Sequence, residues 1–131
     1  MKGSVAALAT GAWAAVRAPG WIGGPRLASL LRPSPAPRPG AVAPPGAVHG
    51  SVLALRVLDR VPGGRWRNSC LYRSVAECLV LRGYGEDARL RIGVGNEASA
   101  IIAHAWVVRG DQDDATADPA AATLRPFDIR P

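Results

Sequence analysis

Proline placement constrains this chain more sharply than any other feature of its sequence. Six of the twelve prolines fall between residues 33 and 46. Proline fixes the backbone φ angle and lacks an N–H group, so this segment cannot be a helix and does not suit a central strand. We therefore predict an extended linker here. The predicted organisation is an N-terminal extension with its proline-rich linker over residues 1–48, followed by a folded domain over residues 49–131.

The first 32 residues carry two short apolar patches, which glycine and proline interrupt. No window reaches the roughly 20 unbroken apolar residues that span a bilayer, so we expect no stable membrane insertion. Lys2 and the alanine-rich stretch after it have the outline of a secretory signal. However, Gly11 and the many alanines make a weak apolar core, and no sharp cleavage site follows. The favoured interpretation is a short helical or poorly ordered extension.

Two helices are predicted after the linker. Residues 51–61 place apolar side chains at three-residue spacings and end before a Pro-Gly-Gly sequence. The second helix runs from about residue 70 to residue 82. Asn68 or Ser69 is its expected N-cap, and Gly83 suits the C′ position.

Strand patterns follow the helices. Residues 88–94 alternate apolar with charged or small side chains, and residues 101–109 form a longer run rich in β-branched residues. Residues 95–97 carry a turn signal between them, and a short third strand is expected within 124–129. This order predicts an α+β fold, with helices packed on one small antiparallel sheet.

Cys70 and His104 are the candidate catalytic residues. Cys70 lies in the predicted first turn of a helix, where the macrodipole favours the nucleophilic thiolate and the backbone N–H can serve as an oxyanion donor. His104 lies within a strand and is a candidate general base. Trp66 could lend an indole N–H to the oxyanion site, although packing is its simpler role. A carboxylate that orients the imidazole would come from an acidic cluster of Asp111, Asp113, Asp114 and Asp118.

Each of these residues also has a structural interpretation. Cys70 and His104 could be buried core side chains, and the residues alone leave both interpretations open. Cys78 lies eight residues after Cys70 on the same predicted helix, which separates the Cα atoms by about 12 Å. That distance is too long for a disulfide or a shared zinc ion, so Cys78 is interpreted as a core residue. The thiol chemistry implies no metal and no organic cofactor.

The net charge of +6 is weak support for a nucleic-acid partner. Lys2 is the single lysine against fifteen arginines, and the basic residues are scattered. The clustered basic residues and interleaved aromatics of a nucleic-acid-binding module are missing. We expect no nucleic-acid partner.

Four motifs in the second half of the chain resemble a known family. They are Cys-Leu-Tyr-Arg-Ser from Cys70, Leu-Val-Leu-Arg-Gly ending at Gly83, Leu-Arg-Ile-Gly-Val ending at Val94, and Ala-His-Ala-Trp-Val around His104. In this order they resemble the lasso peptide B protein, a transglutaminase-like cysteine peptidase that removes the leader from lasso peptide precursors. The resemblance covers about residues 50–131. It implies a papain/transglutaminase-like fold, with Cys70 as nucleophile at a helix N-terminus and His104 as general base.

The third catalytic residue is less well marked. In the family that the sequence resembles, a glutamate usually follows the Ala-His-Ala-Trp-Val string, and then come a glycine-containing turn and the catalytic aspartate. Here Val108 stands in place of the glutamate. Counting from the turn at Gly110 favours Asp114, while Asp113 and Asp118 remain alternatives.

The resemblance also implies a reaction and partners. A cytoplasmic endopeptidase of the standalone form would cleave a ribosomally made precursor peptide at its leader–core junction through a thioester acyl-enzyme. A small leader-binding protein would deliver the precursor, and a separate ATP-dependent, asparagine-synthetase-like cyclase would close the ring. A non-catalytic peptide-binding subunit on the same scaffold is the alternative, motivated by Val108 and the open choice of aspartate.

Overall fold

The computed structural model describes residues 2–119, 121 and 124–126. Its elements are α1 (Lys2–Ile22), α2 (Arg26–Leu31), α3 (Pro45–Leu58), α4 (Cys70–Gly83), β1 (Ala88–Glu97), β2 (Ala100–Arg109), α5 (Asp114–Ala117) and β3 (Arg125–Pro126). The strands of this described part form an antiparallel sheet in the order β2-β1-β3, and α4 packs against β1 and β2. The predicted α+β class is confirmed. Of the strand expected within 124–129, the part beyond Pro126 lies outside the described residues.

Helix α1 crosses α3 at very short range. Its buried face consists of Pro19 and of small residues at helical spacing, namely Ala7, Gly11, Ala14, Ala15 and Ala18. A Cβ at Gly11 would overlap the Ala47 carbonyl of α3, and one at Gly50 would overlap the Leu8 carbonyl of α1. The two backbones therefore touch with no side chain between them. Of the helices described, none combines the length and the apolar character that crossing a membrane requires.

The proline-rich segment is hydrogen-bonded to the residues that directly follow the C-terminus of α4. Residues 33–44 contain neither helix nor strand, as their prolines predict. Arg38 forms hydrogen bonds to two carbonyl groups. Its backbone N–H donates to the Gly85 carbonyl at 2.7 Å, and its guanidinium donates to the Tyr84 carbonyl at 2.9 Å. The Ala43 N–H donates to the Glu86 carboxylate at 2.7 Å.

Helix α3 begins at Pro45, six residues before the predicted start. Proline is tolerated in the first turn of a helix, where the N–H has no helical partner in any case. Helices on both sides of the predicted domain division at residue 48 contribute to one hydrophobic core. The division into an N-terminal extension (residues 1–48) and a separate domain (residues 49–131) stays a prediction.

Helix α4 has the predicted N-cap but a different end. The Ser69 side chain accepts from the Tyr72 N–H, as one of the two expected caps. Gly83 remains helical, because the next residue, Tyr84, still donates its N–H to the Val80 and Leu81 carbonyls. The left-handed backbone instead falls on Gly85, with φ of 91°. The prediction of Gly83 as the C′ glycine was therefore wrong by two residues.

The β1–β2 hairpin is longer than its sequence pattern predicts. Residues 95–97 pair with residues 100–102 and extend the strands, so the turn expected there was misplaced. The chain reverses at Ala98 and Ser99, which both have positive φ, 48° and 67°. Tight hairpin turns require positive φ but usually signal it with Asn-Gly, which this turn lacks.

The two faces of the hairpin pack against different hydrophobic clusters. Leu90, Ala105 and Val107 belong to the main core beneath α4. Trp106 and Val108 face the opposite way and pack with Ala121 and Leu124. Side chains alternate along a strand, so His104 shares the face of Trp106.

Candidate active site

One cleft of about 320 Å³ contains both predicted catalytic residues. Cys70 at the start of α4 and His104 in β2 line it, together with Asp118, which directly follows α5. The remaining lining comes from α3, α4, β2 and α5. Residues that lie far apart in the sequence are thus brought to one depression of the surface.

Cys70 occupies the first position of α4 and is half-buried. The N–H groups of a first helical turn have no helical carbonyl to bond, so the Cys70 N–H is available to an oxyanion. Cys78 is also a free thiol but is fully buried, and burial raises its pKa to about 11. The interpretation of Cys78 as a core residue is confirmed.

His104 is held by an aspartate and an indole ring. Its Nε2 lies 2.6 Å from Oδ2 of Asp118, and the two side chains are 30% and 27% exposed. The imidazole stacks on Trp106 with ring centroids 5.9 Å apart. With Asp118 at Nε2, the Nδ1 atom is the ring nitrogen left to exchange a proton with a thiol.

Asp114, the carboxylate favoured by the sequence, has another set of contacts. It accepts from Arg91 Nε at 3.2 Å and from Trp106 Nε1 at 3.0 Å. Arg91 and Trp106 are directly paired across the two strands, so Asp114 fastens α5 to the sheet. The Asp118 N–H donates to the Asp114 carbonyl at 3.0 Å, which places Asp118 one helical turn further on, against His104. Counting residues from Gly110 along the sequence does not reveal the helical turn of α5 that separates Asp114 from Asp118.

Asp113, the other alternative, is the N-cap of α5. Its Oδ1 accepts from the Thr116 N–H at 2.6 Å, and this hydrogen bond lowers the pKa of the exposed Asp113 carboxyl. Of the three aspartates considered, the structure therefore brings Asp118 to His104, uses Asp114 as an anchor and uses Asp113 as a cap.

Comparison with known protein families agrees with this architecture. A family model described as the transglutaminase-like superfamily matches residues 9–126. The chain belongs to the transglutaminase-like superfamily. The superfamily includes cysteine peptidases. Neither the curated proteins nor the solved structures compared with the chain gave a match.

The transglutaminase-like match includes α1 from residue 9 onward, and the structure shows a link between this helix and the site. Pro19 has no N–H, so it cannot complete the helical bond to the Ala15 carbonyl. The Trp66 indole N–H donates to that carbonyl at 3.1 Å and to the Val16 carbonyl at 3.3 Å. The loop that leads into Cys70 is thereby fixed to α1. This contact occupies the indole N–H, so Trp66 is not the oxyanion donor.

A glycine in this transglutaminase-like sheet makes room beside the histidine. Gly93 pairs with His104 across the strands. A Cβ at Gly93 would lie 2.7 Å from the Trp106 ring. The glycine of the Ile-Gly-Val motif therefore allows Trp106 to lie flat across the sheet, between the anchor Asp114 and the ring of His104.

Sequence reasoning missed Glu77, which also lines the cleft. Burial raises the pKa of its carboxyl, and the nearby Glu86 adds to this effect while Arg109 opposes it. The signal was present in the sequence, because Glu77 follows Cys70 by seven residues. Residues i and i+7 lie on one face of a helix.

Proposed function

We propose that this chain is a cysteine endopeptidase that removes the leader from a lasso peptide precursor, with Cys70, His104 and Asp118 as its triad. The observation that carries the proposal is the 2.6 Å contact between His104 and Asp118, in the cleft that Cys70 also lines. Membership of the transglutaminase-like superfamily supports the class of enzyme. The four motifs of the second half of the chain support the lasso peptide substrate.

The geometry suits acyl transfer to a thiol. His104 removes the thiol proton through Nδ1, and the Cys70 sulfur attacks the scissile carbonyl carbon. The Cys70 N–H stabilises the oxyanion that forms on the carbonyl oxygen. The C–N bond then breaks as His104 returns the proton to the amine of the core peptide. The leader remains as a thioester on Cys70.

Hydrolysis completes the cycle by the same proton route. His104 takes a proton from water as the hydroxide oxygen attacks the thioester carbon, and the C–S bond breaks. The leader leaves with a free carboxylate, and the thiol regains its proton. Asp118 keeps the imidazole oriented and stabilises its charged form. These steps use no metal and no organic cofactor.

The proposal includes a cytoplasmic setting and two partners, both taken from the family resemblance. A small leader-binding protein presents the precursor at the cleft. The amine that the peptidase frees on the core peptide is the nucleophile that an ATP-dependent, asparagine-synthetase-like cyclase uses for ring closure.

The test is direct cleavage of a lasso precursor. The protein is incubated with the precursor and the leader-binding protein, and mass spectrometry follows the free leader. Cys70→Ala and His104→Ala each abolish release, while Cys78→Ala, the matched control at a buried thiol, retains it. Full release by either active-site variant would refute the peptidase. Leader association without turnover by the unaltered protein would favour the non-catalytic binding subunit.

A further inference from the structure

One face of α4 forms a wall of the cleft beyond the reacting thiol. Cys70, Arg73, Ser74 and Glu77 follow one another along it at helical spacing and line the same depression. The Ser74 hydroxyl donates to the Ala105 carbonyl at 3.0 Å, which locks the middle of this wall to β2. Seven residues at about 1.5 Å each place Glu77 about 10 Å along the helix from Cys70.

Arg109 is close enough to lower the pKa of Glu77 in part, but no cation is hydrogen-bonded to its carboxylate among the described residues. Arg73 is one turn away, but its Nε donates to the Ser69 carbonyl at 3.3 Å, which directs the guanidinium toward the start of α4. Arg109 pairs with Glu86 at 3.4 Å. In the described part of the chain, no hydrogen bond reaches the Glu77 carboxylate. The described residues thus leave the Glu77 carboxyl without an ion pair, since the nearby Arg109 pairs with Glu86.

The Glu77 carboxylate is half-buried yet open to the cleft. The described residues contain no buried side-chain oxygen or nitrogen that is both sealed from solvent and unbonded. An unbonded carboxylate oxygen of Glu77 is therefore exposed to solvent, and Glu77 is one of the residues that line the cleft. Burying a carboxylate is costly unless a cation or a hydrogen-bond donor compensates it.

We propose that Glu77 binds a basic side chain of the substrate peptide, lysine or arginine, about three residues from the scissile bond; this rests on the peptidase function proposed above. The spacing follows from an extended peptide, which advances about 3.3 Å per residue and so covers 10 Å in three residues. A cation is favoured over a neutral donor because it matches the charge as well as the hydrogen-bonding capacity of the carboxylate.

The experiment scans the precursor on both sides of its cleavage site. Lys, Arg, Gln or Glu is placed singly at each of the four positions on either side, and kcat/KM is measured from leader release. We expect one position where the basic residues exceed Gln by roughly tenfold or more, as charged hydrogen bonds allow. Glu77→Gln removes this preference, Glu77→Lys shifts it toward Glu, and Glu77→Asp retains it. Asp87→Asn, at an exposed acid outside the cleft, serves as the control.

A binding measurement separates failure of this inference from failure of the peptidase proposal. Twelve-residue alanine-glycine peptides with a central Lys or Gln are titrated into Cys70→Ala protein, with and without Glu77→Gln. Tighter binding of the Lys peptide that depends on Glu77 would uphold the site even if no precursor were cleaved. Equal binding of both peptides, or an equal loss of kcat/KM for basic and neutral substrates in Glu77→Gln, would overturn it. A thermal melt of each variant identifies any that fails to fold, in which case Glu77→Asp and the scan of the unaltered protein decide.

Discussion

Replacing Asp118 by asparagine tests the third member of the proposed triad. The change keeps the shape of the side chain and removes its charge, at an oxygen 2.6 Å from Nε2 of His104. His104 carries a positive charge when it holds the proton of the thiol, so the carboxylate stabilises the reacting state. We expect folding to be retained and kcat/KM for leader release to fall.

The exposure of the pair sets the size of this loss. Opposite charges with centres about 4 Å apart attract by about 1 kcal/mol in water and about 4 kcal/mol at the effective dielectric typical of protein surfaces. The side chains of His104 and Asp118 are 30% and 27% exposed, which places them between these limits. The expected loss in kcat/KM is therefore roughly fivefold to a thousandfold, since each 1.36 kcal/mol is a factor of ten.

Asp114→Asn is the matched control, because it makes the same chemical change four residues earlier. It weakens the anchor on Arg91, and its main effect should be on thermal stability, at about 1 kcal/mol for a lost charged contact. Initial rates of leader release are compared with melting curves for both variants. Full activity in Asp118→Asn together with a collapse in folded Asp114→Asn would refute the assignment of Asp118. Small losses in both would indicate a Cys-His dyad.

Three further predictions concern packing, thiol reactivity and pH. Gly11→Ala should destabilise the fold by about 1–3 kcal/mol, because its methyl group overlaps the backbone of α3. Gly20→Ala is the control, since a methyl group there meets open space. Equal denaturation midpoints for the two variants would contradict the close crossing of α1 and α3. Iodoacetamide at about pH 8 should label Cys70 and leave Cys78 unmodified until the protein unfolds, as peptide mapping would show. Glu77→Gln should gain stability relative to the unaltered protein as the pH rises above the usual pKa of a glutamate. The reason is that burial raises the pKa of Glu77 in the folded state, so the folded protein loses stability as this carboxyl deprotonates. A difference between the two urea midpoints that did not change with pH would contradict the burial of Glu77.

The local sequence was sufficient to place Cys70 at the start of a helix and His104 within a strand. Asn68 and Ser69 are both helix N-cap residue types, and either one places Cys70 in the first turn of α4, where Ser69 is the cap. The β-branched run around His104 predicts a strand, and alternation predicts that Trp106 shares its face. Each of these inferences depends on neighbours within a few residues, which is why single-sequence patterns could supply them.

Features that depend on distant contacts were not predictable in the same way. The four residues of α5 carry no apolar period, and Asp113 as a cap is their main signal. The position of Asp118 depends on that short turn and on the anchor of Asp114 against Arg91. Likewise, the small residues of α1 look weakly apolar in the sequence. Their small size allows the backbone of α3 to approach closely, and this contact is visible only in the folded chain.

The bond between Trp66 and the Ala15 carbonyl has a consequence for how this protein can change over evolution. The carbonyl is free because residue 19 is proline; an ordinary residue there would supply its own N–H and compete with the indole. Conversely, losing the indole at residue 66 would leave the carbonyl without its donor. Positions 19 and 66 should therefore vary together among relatives that share this helix, and an alignment in which they vary independently would argue against that coupling.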